Sequence, residues 1–161
     1  MTEFNIKNVK DSDLEIILQI FNYYVKNGFA AYPEEDVSIE FFNKIKQSAI
    51  LFYILEIKNN IRGFAFLRNY LPYHNFQHTA ILSYFILPDY TDKGYGTILL
   101  NKLLDDAREK GINDFIVNLS SLNKKSLTFH KKHGFKECGR FKKISQKFNK
   151  YFDIVWMRKT L

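Results

Sequence analysis

Cysteine occurs once in the 161 residues, proline three times and glycine seven times, and no apolar run approaches the roughly 20 residues that cross a bilayer as a helix. The most apolar region is interrupted by Asn75, Gln77, His78 and Asp89. A lone Cys138 excludes an internal disulfide and reads as a small, buried or half-buried residue. Few prolines and glycines beside 46% hydrophobic and 25% charged residues exclude a disordered chain. His74, His78 and His133 have no spacing that suits a metal, and there is no Cys/His cluster, so no metal is expected. Met1 to Lys10 mixes polar and apolar residues and does not read as a signal peptide. The expectation is one cytoplasmic domain spanning residues 1–161, with no membrane association.

What is present is unevenly charged. Residues 122–161 hold twelve Lys/Arg against two Asp/Glu, whereas residues 1–121 hold twelve against fifteen, so the net charge of +7 belongs to the C-terminal quarter. Three readings follow: a solvated lysine-rich face, attraction of an anionic small ligand, or a nucleic-acid surface. The last lacks an identifiable readout helix, so a nucleic-acid partner is not expected.

Hydrophobic spacing divides the chain into one continuous series. Phe4 to Val9 alternates and predicts a strand. Ser12 to Glu15 has the form of a capping box opening a helix with Leu14, Ile17, Leu18, Phe21 and Val25 on one face, ending near Asn27-Gly28. Ser38 caps a second helix through Phe41, Phe42 and Ile45. Leu51–Ile57 and Ile61–Leu71 predict a hairpin around Lys58-Asn59-Asn60, and Thr79–Leu87 a further strand. A helix over Thr97–Lys110, a strand over Asp114–Leu119, a helix over Ser126–His133 and strands centred on Phe135–Phe141 and Asp153–Met157 complete the order βααβββαβαββ. That order is an α+β (α/β) architecture with a mixed, mostly antiparallel sheet flanked by helices.

Two motifs carry chemistry. Asp92-Lys93-Gly94-Tyr95-Gly96-Thr97 falls between a strand and a helix, where the first helical N–H groups lack partners and glycines let an anion approach. Asn123-Lys124-Lys125-Ser126, Phe129-His130 and Gly134-Phe135 place an amide after a strand, a ring on a short helix and a Gly-Phe turn into the next strand.

Together these motifs resemble the GNAT superfamily of acetyltransferases, whose forms are Gln/Arg-x-x-Gly-x-Gly/Ala and Asn-x-x-(Ser/Ala)-x-x-x-(Tyr/His)-x-x-x-Gly-Phe. The element order is similar to that fold. Ile20 to Tyr24, Tyr32-x-x-Glu35, Ser126 to Phe135 and Lys147-Phe148-x-x-Tyr151-Phe152-Asp153 further resemble its phosphinothricin/methionine-sulfoximine acetyltransferase branch. The resemblance implies an acetyl-coenzyme A cosubstrate, a small amino-acid-like amine as acceptor, and a homodimer. It also implies that backbone groups of Phe85, Ile86 and Leu87 pair with the pantetheine arm and that Asp92 to Thr97 hold the pyrophosphate. Asn123 and Ser126 would contact the cofactor, His130 would protonate the leaving thiolate, and Tyr32, Glu35, Tyr73 and Phe76 would line the acceptor site.

The chain departs from that branch in three places. Thr91 stands where Gln or Arg is usual, leaving backbone amides and Lys93 to bind phosphate. Ile81 replaces a strand glutamate that can act as a base, and Tyr73 to Phe76 lack an arginine used near the substrate carboxylate. Glu35 is the replacement base candidate. A site without a strong base suits an amine of pKa about 8 better than a lysine-like amine of about 10.4, because attack requires the neutral form. The alternatives are a protein N-terminal acetyltransferase and a catalytically silent coenzyme A-binding module.

Overall fold

The structure, a computed structural model, describes residues 3–161. Seven strands form one sheet in the order β1-β2-β3-β4-β5-β7-β6: β1 Phe4–Asn8, β2 Ala49–Ile57, β3 Asn60–Asn69, β4 Thr79–Ile86, β5 Asp114–Ser120, β6 Lys136–Lys147 and β7 Lys150–Thr160. Four helices accompany them, α1 Leu14–Lys26, α2 Ile39–Ser48, α3 Tyr95–Glu109 and α4 Lys124–Lys132. The only parallel pair in the described sheet is β4 with β5, which α3 connects. The element order matches the one read from the sequence.

Helices cover both faces, and the sequence explains why β2 and β3 read as near-continuous apolar runs. Phe52, Ile54, Phe64, Phe66 and Phe85 face α1 and α2, packing with Ile17, Phe21, Val25, Phe42 and Ile45. The alternate residues Leu51, Tyr53, Leu55, Ala65 and Leu67 pack with Leu99, Leu100, Leu103 and Leu104 of α3. Strands buried on both faces cannot alternate with polar residues. Each fully buried Leu or Phe contributes roughly 1.5–3 kcal/mol relative to exposure.

Local details sharpen the sequence reading. The first helix is preceded by a turn of 3-10 helix at Asp11–Asp13, and the cap is Asp13, whose carboxylate accepts the Lys10 N–H at 2.8 Å, in place of the expected Ser12–Glu15 box. The β2–β3 turn has Lys58 and Asn59 at φ 50° and 60°, the two left-handed residues of a type I′ hairpin. Phe148 and Asn149, at φ 51° and 59°, do the same for β6 and β7. These last two strands are much longer than expected, and Cys138 is exposed on the first of them instead of buried. At the base of β5, buried Asp114 takes a paired bond from the Arg158 guanidinium of β7, at 2.8 Å from Nε and 2.5 Å from the terminal nitrogen. The arginine holds that carboxyl below its ordinary pKa.

Candidate active site

The site begins where the sheet opens. β4 pairs with β5 only from Thr79 to Ile81, opposite Asp114 to Ile116, and beyond Ile81 the two strands part. Its other edge stays paired with β3 up to Ile86 opposite Gly63, and the Leu87 N–H continues the ladder by donating to the Arg62 carbonyl at 2.8 Å. Bond direction alternates along an antiparallel strand, so Phe85 faces β3, while Tyr84 and Ile86 turn their N–H and C=O groups into the gap. This corrects the set Phe85, Ile86 and Leu87. Only Ile86 of the three presents its backbone to the gap, and both backbone groups of Leu87 are engaged, its carbonyl by the Tyr90 N–H at 2.9 Å. The Tyr24 hydroxyl of α1 donates to the Ile86 carbonyl, and burial pushes that phenol up to about 12.

One end of the gap meets the start of α3. Gly94 is the N-cap at φ 86°, a left-handed conformation that costs glycine nothing, and no side chain caps the helix. The N–H groups of Tyr95, Gly96 and Thr97 therefore have no partner among the described residues, and no acidic residue lies in the first turn. Two expectations change here. A Cβ on Gly96 would sit 3.3 Å from the Phe129 ring, a tight approach that the ring must yield to, so this glycine also serves the packing of α3 against α4. Lys93 turns away, donating to the Asp89 carbonyl at 2.6 Å and lying over the Tyr90 ring. The cation at the loop is Lys125 of α4, which bonds Asp92 at 2.6 Å and the Thr91 hydroxyl at 2.8 Å. It neutralises a carboxylate that would otherwise repel an anion from this helix start.

The start of α4 closes the same end. Asn123 is its N-cap, its side-chain oxygen accepting the Ser126 N–H at 3.2 Å, while its amide nitrogen has no partner among the described residues. His130 is 2% exposed, and its bonds do not suit the proton donor expected of it. Its Nδ1 lies 2.7 Å from the Ser126 carbonyl, which can only accept, so Nδ1 carries the hydrogen. Burial lowers its pKa to about 4, so Nε2 is a bare acceptor near neutrality, and the Tyr84 hydroxyl donates to it at 2.5 Å. Burial also raises the Tyr84 phenol well above its ordinary pKa. His133 is held the same way, Nδ1 donating to the Phe129 carbonyl at 2.8 Å and Nε2 accepting the Thr97 hydroxyl at 2.9 Å.

The segment between α1 and α2 roofs the other end. Tyr32 donates to Asn118 of β5 at 2.8 Å, spanning the gap, and stacks on Phe152. Its neighbour Ala31 is fixed by Lys147, a lysine only 1% exposed, whose ammonium donates to the Ala31 carbonyl at 2.7 Å and is pushed to lower pKa by burial. Of the four residues expected to line the acceptor site, Tyr32 alone borders the cavity. Glu35 is exposed and outside the cavity, which removes it as a base. Tyr73 is 64% exposed, and Phe76 packs on Tyr70, both beyond the cavity in the β3–β4 connection.

These parts enclose one continuous cavity of about 1120 Å³. The phosphate-like end has Lys124, Lys125 and Lys132 on its wall; the roofed end has Phe21, Tyr24, Phe41, Phe66, Arg68, Ile81 and Ser83. Sequence reasoning missed Tyr84, Lys125, Asn118, Arg68 and Lys147. Lys125 and Lys147 carried a signal, each being inside a quoted motif; Tyr84, Asn118 and Arg68 are single strand residues whose meaning depends on where the sheet parts.

Residues 6–156 match the family described as the acetyltransferase (GNAT) domain. The chain belongs to this family and is an N-acetyltransferase. It is 26% identical over 162 residues to the L-methionine sulfoximine/L-methionine sulfone acetyltransferase of Pseudomonas aeruginosa, covering 98% of this chain and 94% of that protein. The crystal structure of ribosomal-protein-alanine N-acetyltransferase from Brucella melitensis superposes with TM-score 0.88 at 28% identity, over 98% of this chain and 99% of that one. The GNAT superfamily phosphinothricin acetyltransferase of Sinorhizobium meliloti in complex with acetyl-coenzyme A has the same fold, with TM-score 0.90 at 22% identity, over 100% of this chain and 89% of that one.

Proposed function

We propose that the protein transfers the acetyl group of acetyl-coenzyme A directly to the primary amine of a small amino-acid-like acceptor. The observation that carries this reading is the parting of β4 from β5 beside an uncapped helix start, within one cavity. The N–H groups of Tyr95, Gly96 and Thr97, with Lys125, suit a pyrophosphate. The Tyr84 backbone groups and the Ile86 N–H, which face the gap while the Ile86 carbonyl is taken by Tyr24, suit an extended amide-bearing arm, and the Asn123 amide is placed for a further bond. The amino-acid acetyltransferase from Pseudomonas aeruginosa supports the acceptor class.

The protein's contribution is positioning and a polarising edge. The acceptor nitrogen attacks the thioester carbonyl carbon, an N–C bond forms and the C–S bond breaks. The nitrogen sheds a proton and the sulfur gains one. Strand N–H groups facing the gap stabilise charge on the carbonyl oxygen. A thiol of pKa about 8.5 takes its proton from solvent at neutral pH, so a dedicated acid is not required. Asp92 is the only carboxylate among the described residues lining the cavity, and Lys125 holds it. The amine must therefore arrive neutral. No cysteine lines the cavity, which favours direct transfer over an acyl-enzyme.

Intact-mass analysis tests this. Acetyl-coenzyme A alone is expected to leave the protein unmodified, and addition of L-methionine to yield N-acetylmethionine. A stable acetyl adduct on the protein that is chased by the acceptor would replace direct transfer with a two-step route.

The reading extends to a homodimer in the cytoplasm. Phe141, Ile144, Phe148 and Tyr151, exposed on the edge hairpin β6–β7, offer apolar surface to a second copy. Sedimentation equilibrium decides between one copy and two.

A further inference from the structure

The roofed end of the cavity contains a single formal charge. Arg68 of β3 lies directly opposite Ile81 of β4, on the face that α1 and α2 cover. Its guanidinium rests over the Phe66 ring, with 5.5 Å from its central carbon to the ring centre. Among the described residues it forms no ion pair, although Arg140 and Arg158 each find a carboxylate; Arg62, over the Tyr90 ring, is likewise unpaired but does not line the cavity, so Arg68 is the unpaired arginine that faces it. Its Nε is shielded from solvent and donates to nothing. Arg68 itself is half-buried, but a shielded guanidinium nitrogen without an acceptor is costly, and the usual remedy is a carboxylate held by both prongs of the guanidinium. No carboxylate of the protein lines this end of the cavity.

We infer that Arg68 is the specificity-determining residue for the acceptor, binding a carboxylate on the same small molecule that presents the amine. The inference rests on the acetyl-transfer reading above and narrows its acceptor to free amino acids and other amine-bearing carboxylates. An acceptor with no anion brings only a positive charge toward an arginine and is disfavoured. The pairing also serves the chemistry. A carboxylate near an ammonium holds it protonated, and capture of that carboxylate by Arg68 cancels the field and releases the amine toward its neutral, nucleophilic form. Arg68 thereby does part of what a base at position 81 could do, from the position facing it.

The test compares each free amino acid with its primary amide, L-methionine with L-methioninamide and L-phenylalanine with L-phenylalaninamide, following free thiol. The wild type is expected to prefer the acid by roughly tenfold or more in kcat/KM. Arg68→Met, which keeps an apolar stem on Phe66, is expected to lose that preference through the acid alone, leaving the amide within about twofold. Arg68→Lys should retain part of it. Equal rates for acid and amide in the wild type, or an equal loss for both in Arg68→Met, would overturn the inference while acetyl transfer itself stood. Calorimetry of L-methionine on the coenzyme A-loaded protein asks the same question without turnover. Binding weakened tenfold or more by Arg68→Met supports the assignment, and undetectable or unchanged binding overturns it.

Discussion

Tyr84 of β4 gives its hydroxyl proton to Nε2 of His130 at 2.5 Å, and His130 gives its own to the Ser126 carbonyl at 2.7 Å. The chain of bonds ties the free edge of the parted strand to α4 and fixes the imidazole as neutral. It makes His130 a positioning residue for Tyr84.

That state has a measurable signature. The unfolded imidazole binds its proton below about pH 6.5 and the folded one only near 4, so the unfolded chain holds more protons between those values. Stability from this group is full above about pH 6.5 and falls as the pH drops toward 4. Urea unfolding of the wild type should lose on the order of 2 kcal/mol between pH 7 and pH 5 from this histidine. A folded His130→Phe protein should lack that component. An NMR titration placing folded His130 near 6.5 would contradict the account.

Charge at the phosphate-like end is assigned to Lys125, not Lys93. Lys125→Glu should weaken coenzyme A binding roughly tenfold, with the loss shrinking in high salt, because the site is exposed and screened. Lys93→Ala should bind within about twofold of wild type. Calorimetry of both variants checks the pair, and the reverse ranking would return the role to Lys93.

The fold and the glycine loop at the start of α3 were legible because they are written in local spacing: apolar faces at helical spacing, caps, and glycines between a strand and a helix. The boundaries of β6 and β7 were not. Most of β6 is exposed, so Lys142, Lys143, Ser145 and Gln146 carry no alternation to betray a strand. The acceptor end was legible least. Tyr73, Phe76 and Glu35 were chosen for residue type and neighbourhood in the chain. Arg68 and Asn118 reach the cavity through the register of β3 on β4 and the divergence of β5, which no local pattern records. Tyr32 is the exception, reaching Asn118 across 86 residues of sequence.

The roof makes its own prediction. Tyr32→Phe removes the bond to Asn118, and Lys147→Met leaves the Ala31 carbonyl unpaired, at a cost of about 1–3 kcal/mol for a buried group. Both should raise KM for the acceptor several-fold while leaving coenzyme A affinity unchanged, since neither touches the α3 end. Steady-state kinetics beside calorimetry separates the two ends. A parallel loss in coenzyme A binding would show that the roof supports the whole cavity.

A glutamate restored at position 81 should not rescue a base. Ile81→Glu would sit opposite Arg68 and pair with it, a cross-strand contact between opposite charges. The expected result is a rise of roughly tenfold in KM for L-methionine with little change for L-methioninamide. Faster turnover of both would mean that the carboxylate works as a base despite the arginine.

Asp92, held by Lys125, is the one carboxylate among the described residues lining the cavity, and this fixes the expected pH dependence. With the amine required in its neutral form, kcat/KM should rise about tenfold per pH unit up to the acceptor's own pKa and then level. A plateau well below that pKa would reveal a proton acceptor on the protein.

The central claim is tested most directly by thiol release from acetyl-coenzyme A, measured at pH 7.5 with no acceptor, with free L-amino acids, and with a peptide bearing an N-terminal alanine. The account predicts release that depends on the acceptor, matches N-acetyl amino acid mole for mole, and is at least tenfold faster with the amino acids than with the peptide. Binding of coenzyme A without thiol release from any acceptor, or a preference for the peptide, would contradict it.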